Sequence, residues 1–326
     1  MYSNAYIFFN VTTTGIQVDA IIVEELTKYY GNLLAVNKIS FRVKWREIFG
    51  FLGPNGAGKT TTIRMLCGLA KISNGSAYIA GCNLAKDLKC VKKSIGVVQD
   101  VSNLYYELTA MDNLLFSGEM YGLNRKERKE RAIELLKFFG LFDKKDVKFK
   151  HLSKGQKRRL VIAAALMHKP KILFLDEPTI GLDVRGRRMI WNLIKELNKK
   201  GLTIFLTTHN IYEAFSLCNR IAIINKGKIV TIGTPEVLKE KFSGSEVLEV
   251  AFTRELDKKD LTGLSGIVKV IGTGRSFKII VNDPIIALEE IAKKARLRGV
   301  SLSYINLRGA DAEEIFLRII SDKNVG

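Results

Sequence analysis

Three short stretches of this 326-residue chain carry side chains suited to phosphate chemistry. In EIFGFLGPNGAGKTTTIRML, apolar residues of strand type, Ile48 to Leu52, run into Gly53-Pro54-Asn55-Gly56-Ala57-Gly58. A helical pattern then begins at Lys59. This is G-x-x-x-x-G-K-T in a strand, loop, helix setting. The glycines let backbone N–H groups close around phosphate oxygens where a Cβ would obstruct the approach. The helix N-terminus adds its positive dipole end. Lys59 is expected to reach the β- and γ-phosphates, and Thr60 to ligate Mg²⁺.

The second stretch, PKILFLDEPTIGLD, reads as a buried parallel strand over Ile172 to Leu175 that ends in two acids. Asp176 falls at the C-terminal end of its strand, where open α/β sheets bind ligands. It is expected to hold Mg²⁺ through water, with Glu177 polarising an attacking water. The plainer reading is two acids in a surface turn. The third stretch, KHLSKGQKRR, has five Lys or Arg in ten residues, Lys150 to Arg159, with Ser153, Gly155 and Gln156 set among them. A basic helix face or a nucleic-acid patch does not account for those small polar residues.

The elements that must position these groups alternate in type. Residues 21–85 read as antiparallel strands plus the phosphate-loop unit, and residues 99–168 as a mainly helical insertion. Strand and helix then alternate over residues 171–233, giving a mixed sheet flanked by helices. The cassette spans residues 21–241, after a tail at residues 1–20 that is expected to be mobile. Residues 245–326 form a separate small α+β module: VLEVAF, IVKVIG and FKIIV are strands, GTGR (Gly272 to Arg275) a hairpin turn, and Pro284 opens a helix. VSLSYINL adds a strand and ADAEEIFLRII a closing helix.

Composition narrows the class. Hydrophobic residues make up 47% and charged residues 26%, enough for a full core. No run approaches the roughly 18 apolar residues that span a bilayer. Cys67, Cys82, Cys90 and Cys218 show no zinc spacing and read as incidental thiols of a reduced protein. The net charge of +19 favours an anionic partner: nucleic acid, phosphate ligands or the cytoplasmic leaflet.

From Ile21 to Leu238 the chain resembles the ATP-binding subunit of an ABC transporter. Tyr30, just before Gly31, matches the aromatic that stacks on adenine. Gly53 to Thr60 matches the phosphate loop, with Thr61 in the same nucleotide-binding set. Gln99 matches the glutamine that joins the metal to the helical subdomain, and LSKGQ (Leu152 to Gln156) the signature. Asp176 and Glu177 match the metal acid and catalytic acid, Asp183 the D-loop, and His209 the switch histidine. The resemblance implies an α/β P-loop cassette with an antiparallel β subdomain and a helical subdomain, binding ATP and Mg²⁺. Glu177, His209, Lys59 and Gln99 are then the catalytic set, and Thr60, Gln99 and Asp176 the metal set.

In that family two subunits close head-to-tail around two ATP molecules. Ser153 and Gly155, with Gln156 and Asp183, would then serve the nucleotide of the partner. Lys154 departs from the commonest signature, which has glycine there, and is similar to drug- and ion-exporting members. The resemblance further implies a separate membrane permease, work at the cytoplasmic face of the membrane, and no nucleic-acid partner. The alternative is a non-transport ABC ATPase acting on nucleic acid or the ribosome, which the charge of +19 invites. Against it, no sustained heptads separate Gln99 from Leu152, and the chain holds one phosphate loop and one signature. A pure interaction protein with a degenerate site is disfavoured because every catalytic position holds a competent residue.

Overall fold

The computed structural model describes residues 11–12, 15–16, 19–99, 103–241 and 246–309, with residues 314 and 316. The chain divides into two compact units, Met1–Ile229 and Val230–Gly326. Most of the tail expected over residues 1–20 lies outside the described residues. Within it Val11–Thr12 (β1) pairs with Gly15–Ile16 (β2), and Ala20 is buried.

The first unit has two sheets. Ile21–Tyr30 (β3), Leu33–Val43 (β4), Asn74–Ile79 (β6) and Cys82–Asn83 (β7) form an antiparallel sheet in the order β4-β3-β6-β7. The second sheet contains Ile48–Leu52 (β5), Ile95–Val98 (β8), Ile172–Asp176 (β9), Thr203–Thr208 (β10) and Arg220–Asn225 (β11), and the chain leaves it through Lys228–Gly233 (β12). Its order is β12-β11-β5-β10-β9-β8. The pairs β11–β5, β5–β10, β10–β9 and β9–β8 are all parallel. Every residue of β5, β9 and β10 is buried, as the continuous apolar runs require of a sheet covered on both faces.

The sheets meet through aromatic rings. Phe41 of β4 lies 5.6 Å from Phe49 and from Phe51 of β5, and 5.9 Å from Phe205 of β10, centroid to centroid. Phe174 of β9 extends the cluster to Phe205 at 5.4 Å. Each such ring contributes about 1.5–3 kcal/mol by leaving water. The rings therefore hold strands β5, β9 and β10 side by side.

Helices cover the parallel sheet: Lys59–Leu66 (α1), Leu88–Ser94 (α2), Val184–Lys199 (α6) and Ile211–Leu217 (α7). Between Gln99 and His168 stand Ala110–Met120 (α3), Arg125–Phe138 (α4) and Lys154–Ala165 (α5). Asn124 and Glu127 close a reciprocal capping box at the start of α4, and Ser153 and Gln156 do the same for α5. Cys82 of β7 and Cys90 of α2 stand side by side, with Cα atoms 6.1 Å apart, while Cys67 and Cys218 are both buried.

The second unit begins within β12 and includes Pro235–Lys241 (α8). Its sheet is antiparallel: Glu246–Leu256 (β13) pairs with Ile267–Val281 (β14) on one side and Leu302–Gly309 (β15) on the other. Lys258–Leu261 (α9) and Pro284–Leu297 (α10) pack on it, α10 capped by Asp283. Leu248, Phe252, Leu261, Phe277, Ile279 and Ile291 are among its buried core. Strand β14 doubles back at the expected glycine turn. A Cβ on Gly272 (φ 111°) would lie 2.6 Å from Ser276 O, an approach impossible along a straight strand rising about 3.3 Å per residue. The closing helix expected at the C-terminus lies outside the described residues except for Glu314 and Phe316, both helical.

Candidate nucleotide site

Strands β5, β9 and β10 are parallel and in register, so they end on the same edge of the sheet. After β5 comes Gly53, after β9 Glu177, and after β10 His209. Gly53 N–H donates to Thr208 O at 3.2 Å, and Glu177 N–H to Thr207 O at 3.1 Å, which fastens both exits to β10. Two glycines make the phosphate loop possible. A Cβ on Gly53 would stand 2.3 Å from Ile224 O, and one on Gly58 (φ 103°) would stand 2.7 Å from Ala35 O. Both contacts are with rigid backbone, so no other residue fits.

A cleft of about 630 Å³ opens above this edge. Asn55, Gly56, Gly58, Lys59, Thr60 and Thr61 form its floor, with Tyr30 at its wall and Glu177 and His209 also in its lining. Tyr30 is 47% exposed, an aromatic face open to a planar ligand, with Lys28 Nζ 4.8 Å from its ring centroid. Lys59 is buried; its Nζ donates to Gly53 O at 2.8 Å and Pro54 O at 3.1 Å, and lies 3.4 Å from Glu177 Oε1. Ala57 is buried beneath the loop, its carbonyl accepting from Gly227 N–H at 3.0 Å.

Asp176 is buried at the end of β9. Its Oδ1 accepts from Thr207 Oγ1 at 2.5 Å and from Thr60 Oγ1 at 3.3 Å. This is a hydroxyl and carboxylate set, the oxygen chemistry a hard divalent cation takes. Among the described residues no group of three or more His, Cys, Asp and Glu could hold a metal by itself. A Mg²⁺ here fits the usual pattern of few protein ligands completed by phosphate and water.

Glu177 has φ 47°, the left-handed region that a β-carbon disfavours. Its Oε2 accepts from His209 Nδ1 at 2.8 Å. Strain of this kind persists where surroundings over-determine it, and it concentrates at functional sites.

The remaining candidates lie elsewhere. Gln99 lines a separate cavity of about 610 Å³ beside α3, together with Tyr105, Phe116, Met120 and Tyr121. Ser153 caps α5, its Oγ accepting from Gln156 N–H at 3.3 Å, and Gln156 Oε1 accepts from Ser153 N–H at 2.8 Å. Among the described residues nothing stands within 4 Å of where a Cβ on Gly155 would be. Asp183 caps α6, its Oδ1 accepting from Gly186 N–H at 2.7 Å. Neither the LSKGQ residues nor Asp183 line the cleft that holds Lys59.

Three supporting residues escaped the sequence reading. Thr207 braces Asp176. Arg158 reaches from α5 to the carbonyls of Gln99, Asp176, Glu177 and Pro178. Glu213, 1% exposed, accepts from Thr179 Oγ1 at 2.7 Å and Trp191 Nε1 at 2.9 Å. Burial pushes the Glu213 carboxyl above the usual range, against the pull of hydrogen bonds from Thr208, Thr179 and Trp191. A charged residue in an amphipathic helix carries no mark in sequence that it points inward.

A strand, glycine loop and helix, with two acids at the exit of a neighbouring strand on the same edge of a mostly parallel sheet, is the arrangement of a P-loop nucleotidase. Residues 36–180 match the family model described as ABC transporter. The linearmycin resistance ATP-binding protein LnrL of Bacillus subtilis (strain 168) is 43% identical over 227 residues, covering 70% of this chain and 73% of that protein. The Nod factor export ATP-binding protein I of Burkholderia orbicola (strain AU 1054) is 36% identical over 294 residues, covering 90% and 94%. Among solved structures, cbiO1 from Clostridium perfringens, part of the ABC transporter complex cbiONQ, superposes with a TM-score of 0.63 at 32% identity. It covers 68% of this chain and 92% of that one. A dimeric post-hydrolysis state of the ATP-binding cassette MJ0796, bound to ADP and Pi, gives 0.60 at 29% identity, with 66% and 98% covered. The chain belongs to the ATP-binding subunits of ABC transporters, a family of ATPases. The nucleic-acid alternative has no counterpart among these relatives.

Proposed function

We propose that this chain is the ATP-hydrolysing motor of an exporter. It works as two copies closed head-to-tail around two Mg-ATP, at the cytoplasmic face of a membrane and against a separate integral permease. The observation that carries this reading is the division of the site. One cleft gathers Tyr30, the phosphate loop, Glu177 and His209. The signature residues Ser153 and Gly155 stand outside it, at a helix N-terminus with open space over the glycine. An N–H cluster of that kind suits an anion, and a second copy can bring one.

ATP would stack on Tyr30 and lay its phosphates in the loop from Gly53 to Thr61. Thr60 and Asp176, with Gln99 from the neighbouring loop, would hold Mg²⁺, whose charge would offset that of the phosphates. Lys59 would release Glu177 and turn to the γ-phosphate. Glu177, aligned by His209, takes the proton of the attacking water. The partner's Ser153 and Gly155 N–H groups stabilise charge on the equatorial oxygens. Asp183 sits at the subunit boundary.

Among the described residues no helix is long and apolar enough to cross a membrane, and we assign the substrate path to the separate permease. Tyr105, Met120 and Tyr121 are exposed around the cavity that Gln99 lines. This apolar rim suits a helix of the permease, and Gln99 would carry closure to it. Export is the direction for which the Nod factor relatives are named, and it is the direction we propose for this chain. The second unit has no catalytic constellation among its described residues and would support the pair or regulate it.

The test is the mass of a Glu177→Gln variant by light scattering, with and without ATP. Conversion of monomer to dimer by ATP, abolished by Ser153→Arg, supports the reading. A monomer that binds ATP and never pairs counts against it.

A further inference from the structure

We propose that Arg158 is a positioning residue that locks the hydrolytic turn to the signature helix, so that Glu177 is aligned only when α5 is seated. The inference rests on the reading of the site given above. Arg158 lies in the second turn of α5, beyond Ser153 and Gly155. Its guanidinium leaves the helix and meets two other segments. Nε–H donates to Pro178 O at 2.8 Å, and Nη1–H to Gln99 O at 2.8 Å. Nη2–H donates to Asp176 O and Glu177 O, each at 2.9 Å.

One planar group thus holds the carbonyls of both acids, of the proline after them, and of the glutamine on the adjoining loop. The chemistry requires arginine. Four acceptors around one plane need donors in a fixed fork, and an ammonium offers three donors from a single point. These four acceptors are main-chain carbonyls, so through them the side chain fixes the path of the backbone. That path needs fixing at Glu177, whose left-handed φ of 47° is intrinsically disfavoured for a residue with a β-carbon. A displacement of α5 at its N-terminus therefore moves the Glu177 turn and the Gln99 loop together. The device joins the surface that meets the partner's nucleotide to the acid that hydrolyses the subunit's own.

The experiment compares Arg158→Met, Arg158→Lys and the unaltered chain, with Glu177→Gln as reference. Three quantities are read: single-turnover hydrolysis of γ-labelled ATP with protein in excess, the Kd for a fluorescent ATP analogue, and the thermal midpoint. Misplacement of a reacting group by about 1 Å costs about a hundredfold in rate. Arg158→Met is therefore expected to slow hydrolysis about 10- to 100-fold with Kd within about twofold, and Arg158→Lys to recover part of the loss. A Glu177→Gln, Arg158→Met double variant is expected to keep ATP-driven pairing. Hydrolysis at the unaltered rate in Arg158→Met overturns the proposal. So does a loss that tracks weakened nucleotide binding or a collapsed midpoint in both variants, since that marks a purely structural role. Undiminished hydrolysis by Glu177→Gln itself would instead sink the reading of the site, and the two failures are told apart in one set of assays.

Discussion

His209 Nδ1 lies 2.8 Å from Glu177 Oε2, across 32 residues of sequence and from the exit of one parallel strand to the exit of its neighbour. The same carboxylate has its other oxygen 3.4 Å from Lys59 Nζ. An acid gripped from both sides is oriented before any water reaches it. On the proposed role of Glu177 as the base, Glu177→Gln is expected to spare binding and to lower ATP turnover by roughly 10²–10⁴-fold. His209→Ala should fall in the same range, with nucleotide affinity within a few fold. Steady-state kinetics beside a binding titration with a fluorescent ATP analogue checks both.

Gly155 offers a sharper test of the divided site. Among the described residues of its own subunit nothing lies within 4 Å of a Cβ built on it, so they do not require glycine there. In a helix interior, alanine is favoured over glycine by roughly 0.5–1 kcal/mol. Gly155→Ala should therefore melt at or above the unaltered chain and yet pair more weakly on ATP. A variant that loses stability and pairing together would contradict the assignment.

The phosphate loop should behave in the opposite way. Gly53→Ala forces a Cβ to 2.3 Å from Ile224 O, and backbone must move to admit it. A loss of roughly 2–4 kcal/mol is expected by denaturant titration, together with loss of nucleotide binding. Gly56→Ala, in open space at φ 78°, should cost only the backbone strain of about 1–2 kcal/mol.

Glu213 predicts a pH dependence. Its carboxyl is raised above the ordinary glutamate range, chiefly by burial. Above the unfolded pKa, near 4.5, the folded state holds the proton more tightly than the unfolded state does. The group's contribution to stability is thus complete below that pH and is lost as pH rises through the folded value. Glu213→Gln keeps an acceptor for Thr179 and Trp191 without the charge. Its thermal midpoint relative to the unaltered chain should rise with pH from about 4.5 upward. A difference that is flat with pH would remove burial of the carboxylate as the cause.

Much of the site could be read along the chain, because its parts are local. A strand, a glycine turn and a helix start occupy consecutive residues from Ile48 to Leu66, and the two acids follow directly on a buried apolar strand. Backbone conformation and side-chain chemistry are there dictated by neighbours in sequence. The capping pair of Ser153 and Gln156 that starts α5 is also local, although only the structure showed it.

Contacts between distant segments were decided by the tertiary structure. Thr207 reaches Asp176 because β10 lies beside β9 in the sheet, and Glu213 reaches Thr179 and Trp191 because α7 packs inward. Arg158 belongs to a basic run whose members look alike in sequence; only the packing of α5 against the exit of β9 distinguishes it from Lys157. The approach of Cys82 to Cys90 is of the same kind, set by how β7 turns into α2. Sequence determined which residues can bind phosphate, metal and water, since that is a property of residue types and local spacing. The packed fold decided which partners hold those residues in place, since that depends on the geometry between segments remote along the chain.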